Sequence, residues 1–222
     1  MTKLLPRTFK TCMSLLLFWG IDVEVKAQIP IEGLNKPEFS ESFETRYVPS
    51  ENMNPTLVIG DRLLINKKIY QTTTPQRKDL VIFNPTETLV KQDYNQPFVS
   101  RIIGLPGETI EVKDGKVYID RQFLEEDYIE SPPAYVYGPT EIPSGSYFVL
   151  GDNRNNSYDS HFWGFVPEAN IYGQITAIYC PLDRQQTLTG NLSEDGQQTF
   201  STIRNFFQEN PELCDLELQV SR

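Results

Sequence analysis

The apolar residues of this chain fall mostly in short runs bounded by turn formers, and in one place they alternate strictly with polar ones; both are patterns of β-strands. Residues 61–67 (DRLLINK) and 79–85 (DLVIFNP) are short apolar runs bounded by turn formers, and each predicts a strand; the threonine-rich stretch 71–78 is the polar connection. Residues 98–103 form another β-rich run, stopped by Gly104-Leu105-Pro106-Gly107. The clearest signal follows. Residues 109–113 and 116–120 alternate around Asp114-Gly115, a pair suited to a type I′ turn, and predict a hairpin of well-defined register. Residues 147–150 and 171–179 complete the strand set. Residues 121–146 are acidic, aromatic and interrupted by Pro132, Pro133 and Pro139, which suggests a small insertion on the core. Only Phe200, Ile203, Phe206 and Phe207 recur at near-helical spacing, predicting a short amphipathic helix over 199–210. Residues 28–46 lack a clear period and read as a leader over the surface; residues 183–198 read as a polar linker. The class is mainly β, and no internal repeat is present.

The first residues follow a different logic. Lys3, Arg7 and Lys10 precede an apolar run of about ten residues, 12–21, which is shorter than the roughly 20 a membrane span needs. With Val25-Lys26-Ala27 behind it, the segment has the form of a secretory signal cut after Ala27. An uncleaved membrane anchor is the rival reading. The expected organisation is therefore a signal over 1–27, a β domain over 28–182, and a linker with the C-terminal helix over 183–222.

Composition narrows the partners. The net charge is −10, and −12 without residues 1–27, a sign that opposes nucleic acid and anionic lipid headgroups. One histidine and no Cys-x-x-Cys pair leave few ligands for zinc, so neither a metal nor another cofactor is expected. Cys12 lies in the signal-like segment, leaving Cys180 and Cys214 as an even pair. In an oxidising compartment such a pair invites a disulfide, with two buried free thiols as the alternative.

The candidate chemistry begins at Pro49-Ser50-Glu51-Asn52-Met53-Asn54-Pro55-Thr56-Leu57. Two prolines bar a continuous helix here, while Ser50, Asn52 and Thr56 can bond neighbouring backbone, so the segment should be an irregular loop feeding a strand. Taken alone, its polar residues are ordinary turn residues. Four blocks in order, PSENMNPTL, GDRLLIN, SRIIGLPGETIEV and GDNRNNSYDSHFWGFVP, are more specific together, and over roughly residues 46–181 the chain resembles the type I signal peptidases. That resemblance implies an antiparallel β core with a cap inserted between the third and fourth blocks, at 121–146.

The resemblance also implies a site and a departure from it. In the family a serine attacks the scissile carbonyl and a neutral lysine is the general base. Here Asn52 stands at the nucleophile position and Ser100 at the base position. An amide is no useful nucleophile and a hydroxyl is no base near neutral pH. Ser50 matches the oxyanion-hole serine, and Ser157 and Asp159 match residues that orient the lysine. Asn52 and Ser100 are expected to bond each other or Ser157, satisfying a pocket that once held a charge. Lys91, a conceivable replacement base, lies in a polar stretch, and Ser50 as a substitute nucleophile would still need a base. Ser157, Asp159 and His161 are too close in sequence for an ordinary triad, and Trp163 reads as core. The leading expectation is a catalytically defective relative that binds signal-peptide-like or exported segments, or an active paralogue, outside the cytoplasm. An active endopeptidase with non-standard groups and a purely structural role are the alternatives.

Overall fold

The computed structural model describes residues 41–189 and 194–214. The proposed signal, its cleavage site and the apolar run lie outside the described residues. Among the described residues no helix is long and apolar enough to cross a membrane.

The architecture is mainly antiparallel β. One sheet has the strand order β1 (Phe43–Tyr47), β2 (Arg62–Asn66), β11 (Ile171–Cys180), β3 (Leu80–Phe83), β4 (Phe98–Gly104), β9 (Ser146–Leu150), β10 (Val166–Pro167), with β12 (Gln186–Thr187) beside β11. A smaller sheet has the order β7 (Gln122–Phe123), β6 (Lys116–Ile119), β5 (Thr109–Lys113), β8 (Tyr137–Glu141). Three short helical segments complete the described elements used below: α1 (Glu87–Val90), α2 (Ser160–Trp163) and α3 (Glu194–Glu209).

The sequence expectations meet the fold at most strands. β5 and β6 pair with Lys113 opposite Lys116, and Asp114 and Gly115 both take positive φ (51° and 72°), the geometry of the type I′ turn. Three expectations need correction. Residues 43–47 are not surface leader: they form β1, zipped along β2, because Phe43 is apolar enough to bury against α3. The stretch 121–146 is less an appendage than part of the smaller sheet, since β8 pairs with β5 and Ile142 fills the core between the sheets with Ile103, Val112 and Phe148. The helix starts at Glu194, earlier than the phenylalanine spacing suggests, because its first turn, Glu194-Asp195-Gly196-Gln197, carries no apolar side chain and leaves no period to read.

Helix α3 buries Phe200, Ile203 and Phe207 against Phe43, Leu64 and Tyr179. Each fully buried side chain of this kind contributes roughly 1.5–3 kcal/mol. Cys180, at the end of β11, and Cys214, in the turn after α3, form a disulfide with their Cα atoms 5.8 Å apart, which resolves the alternatives left open by the sequence.

Candidate functional site

Loops 49–60 and 151–159 meet over the sheet, and buried polar groups hold them there. Asn153 N donates to Asn52 O (3.1 Å) and Asn153 Nδ2 to Glu51 O (3.1 Å). The two loops touch so closely that a Cβ on Gly151 would lie 2.2 Å from Ser157 Oγ and 2.4 Å from Asn52 O, so only glycine fits at 151. Beneath them Arg101 forks onto Asp152, Nε to Oδ1 at 2.8 Å and Nη2 to Oδ2 at 2.6 Å, and Thr56 donates its hydroxyl to the same carboxylate. Arg154 forks in the same way onto Glu126 of the inserted segment (2.7 and 2.6 Å), and its Nε donates to Gly151 O. Tyr128 donates to Glu126 and lies under the Arg101 guanidinium, 4.1 Å from ring centroid to Cζ. Burial and the Glu126 carboxylate raise the Tyr128 phenol above its ordinary pKa. A further fork, Arg184 onto Asp61, secures the far end of the first loop.

Above this framework runs a groove of about 1100 Å³. Ser50, Asn52 and Ser157 line it, as expected of site residues; Ser100 and Asp159 do not. Asn52 bonds neither Ser100 nor Ser157, contrary to expectation. Its Oδ1 accepts from Ser50 Oγ at 2.7 Å and its Nδ2 donates to Val99 O at 3.0 Å, so the amide bridges its own loop to strand β4. The asparagine side chain reaches the backbone of the residue before Ser100, and Ser100 itself is 2% exposed. Ser50, the expected oxyanion donor, is engaged by that same amide.

Asp159 is occupied too. It accepts from Gly151 N (2.9 Å) and caps α2 through His161 N (3.2 Å), and its Oδ1 lies 2.6 Å from His161 Nδ1. The imidazole is sandwiched between Tyr135 and Phe162, each at 3.9 Å between ring centroids. Lys91 is exposed and nearest Glu87, a solvated residue as its context suggested. Trp163 is core, packed on Phe83 with its indole N–H on Tyr158 O.

The groove is lined by five side-chain amides (Asn52, Asn95, Gln96, Asn155 and Asn156), the hydroxyls of Ser50 and Ser157, the charged Arg46, Glu51 and Asp93, and a rim of aromatics; none of the described residues lining it is a lysine or a histidine. Sequence reasoning missed the arginine forks, although a lone Arg101 inside an apolar strand announces a buried carboxylate partner. It also missed the rim of Tyr94, Tyr158 and Phe162, scattered over three segments; Tyr94 packs on Tyr158 and Tyr158 on Phe162 at 5.5 and 5.3 Å. Among the described residues no cluster of three or more histidine, cysteine or carboxylate side chains is arranged to hold a metal.

The sequence that builds these loops has clear relatives. The family described as signal peptidase, peptidase S26, matches residues 39–180. The chain is 44% identical over 179 residues to a protein of Synechocystis named probable signal peptidase I-2, spanning 81% of this chain and 80% of the relative. It is 52% identical over 143 residues to a signal peptidase I of Leptolyngbya laminosa, spanning 64% of this chain and 70% of that one. Thylakoidal processing peptidase 1 of Arabidopsis thaliana is 40% identical over 143 residues, 62% of this chain and 42% of the relative. Among solved structures, a signal peptidase I of Enterococcus faecalis aligns with 47% of this chain and 98% of its own at 34% identity, with a TM-score of 0.40. The chain belongs to the signal peptidase family, peptidase S26.

Proposed function

We propose that this protein binds extended, signal-peptide-like segments of exported polypeptides in the groove beside Asn52 without cleaving them by the serine and lysine route. The observation that carries the reading is the state of Asn52. Its amide spans the groove wall from Ser50 to Val99, where a nucleophilic oxygen would be needed, and none of the described residues lining the groove is a lysine. Ser100, at the expected base position, is a buried hydroxyl that cannot take a proton from an attacking group. Ser157 and Asp159 keep structural duties: one packs against Gly151, the other caps α2 and holds Gly151 N.

Binding remains well served. β3 pairs with β4 from Phe98 to Arg101, while β9 joins the opposite edge of β4 only at Arg101 and beyond. The edge ahead of Arg101 faces the groove, where an extended chain can add as a strand, its small side chains entering between Met53, Leu57 and Ile82. The domain works on the extracytoplasmic side in this reading, brought there by the N-terminal segment, and an active paralogue is a further possible partner.

The identity to proteins named signal peptidase I favours one alternative, an active endopeptidase using Ser50 or Ser157 with a base from elsewhere. Incubating purified protein with a labelled pre-protein separates the two. No product together with saturable binding of the signal segment is the expected result, and product formation abolished by Ser50→Ala or Ser157→Ala supports the endopeptidase instead.

A further inference from the structure

The chain treats its accessible aromatic rings in two ways. On the smaller sheet two of them carry a cation of the chain's own: Lys113 Nζ lies 5.1 Å from the Tyr118 ring centroid and Lys116 Nζ 5.4 Å from that of Phe123. Along the groove the rings are bare. Phe98, Tyr94, Tyr158 and Phe162 follow one another with centroids 5.7, 5.5 and 5.3 Å apart, and the last three are 44%, 37% and 64% exposed. Among the described residues no lysine or arginine lies over any of these three. The Tyr158 hydroxyl donates to Gln92 Oε1 (2.6 Å), which ties the segment before β4 to the 151–159 loop and holds the row in place. A run of apolar surface kept open to water marks a contact site. The carboxylates beside the row are open as well. Asp93 precedes Tyr94, and Glu51 lies 3.4 Å from the side-chain nitrogen of Asn156, two residues before Tyr158. Both acids are exposed, line the groove and form no ion pair among the described residues, while Arg46, the lining cation, is turned onto Glu44.

We propose that this rim is a subsite for a basic side chain: the bound segment lays a lysine or arginine over Tyr94 and Tyr158, where its charge meets Asp93 or Glu51. A ring face attracts a cation through its quadrupole, and a carboxylate adds a charge-assisted bond. This rests on the reading of the groove as a peptide site and gives that site a charge preference that small residues alone do not carry. It uses only side chains with free surface. The net charge of −10 acts in the same direction from further away. Among extended segments with small residues, those with a basic residue in register with the rim are retained and neutral ones dissociate. A cation over exposed rings with one carboxylate partner should favour the basic segment about tenfold.

The test uses the purified protein and fluorescent peptides of small neutral residues, each with one lysine placed in turn along its length. Their counterparts carry norleucine, which keeps the methylene stem and lacks the charge. Affinities are measured at about 0.15 M salt, where exposed charges more than roughly 8 Å apart are screened. In one register the lysine peptide should bind about tenfold more tightly than its counterpart. Tyr94→Leu and the pair Glu51→Gln, Asp93→Asn should each lower that ratio by about threefold or more. Glu125→Gln, which neutralises an exposed acid outside the groove lining, should leave it unchanged. Equal binding of lysine and norleucine peptides in every register overturns the proposal and leaves the peptide site standing. A preference that survives both rim variants, or that Glu125→Gln lowers as much, overturns it too. If no peptide binds at all, the groove reading falls together with this inference; sedimentation with phosphatidylcholine vesicles, abolished by Tyr94→Leu, then assigns the rings to a lipid surface.

Discussion

Replacing Asp152 by alanine should be among the most damaging single changes in this protein, by an amount the structure allows one to work out. The carboxylate is fully buried and accepts two bonds from Arg101 and one from Thr56. Arg101 is itself 9% exposed at the side chain, so after the change its guanidinium stays inside with only the neutral Lys78 O at 2.9 Å, Thr56 Oγ1 at 3.3 Å and the Tyr128 ring around it. Breaking a buried pair from one side costs about 3–5 kcal/mol, and the lost Thr56 bond adds about 1. Against a total stability of about 5–15 kcal/mol, a third or more of the folding free energy is at stake. In urea, with a slope of about 2 kcal/mol/M, the midpoint should fall by roughly 2 M, followed by far-UV circular dichroism and Trp163 fluorescence. The companion variant Arg101→Met, Asp152→Leu removes both charges and should recover most of the loss, because the penalty comes from the orphaned ion rather than from absence of the pair. A loss under 1 kcal/mol for Asp152→Ala would refute the argument, as would a double variant no more stable than the sum of its singles. Since Thr56 and Asp152 anchor the loops that carry Asn52 and Ser157, the single variant should also lose peptide affinity.

Three further outcomes are expected. The double variant Asn52→Ser, Ser100→Lys should gain slow cleavage of a signal-peptide substrate while each single variant stays inactive, since nucleophile and base act as a unit; the 2% exposure at position 100 supplies the dry surroundings that keep a lysine neutral, and a folded, peptide-binding double variant without turnover would count against the assigned positions. Cys214→Ser opens a bridge of sequence separation 34 and should destabilise the chain by about 3.8 kcal/mol on loop-closure entropy, measured by urea titration without reductant; an unchanged midpoint would show that α3 holds itself in place. Alkali should unfold the protein early. Tyr70, Tyr128 and Tyr135 are raised above the ordinary phenol pKa by burial first, then by Asp79, Glu126 and Asp159 respectively. The unfolded chain therefore releases protons near pH 10 that the folded one retains, so their stabilisation is complete below about pH 10 and lost as pH rises beyond it. Tyr128→Phe should flatten that loss between pH 9 and 11, and a stability that grows over this range would contradict the assignment.

Much of this molecule could be read from the chain. Short apolar runs between turn formers place β2, β3 and β9, which are buried on both faces, while alternation places the β5–β6 hairpin, where every second residue is buried; Asp114-Gly115 specifies the hairpin turn by its tolerance of positive φ. The four blocks, read as a resemblance, name the loops that do meet, and Ser50, Asn52 and Ser157 do line one groove. Where side chains point is another matter. Ser100 is buried, Asp159 turns back on Gly151 and His161, and Asn52 bonds Ser50 and Val99, since each choice depends on atoms 47 or more residues away or on the packing of a loop against a sheet. The strand at 43–47 hid for a related reason: edge residues with one buried phenylalanine carry little periodicity, and it is the open edge of β2, with the surface of α3, that orders them. The arginine forks joining positions 101 with 152 and 126 with 154 are likewise tertiary facts. Sequence announces that a buried charge needs a partner, and only the folded chain decides which.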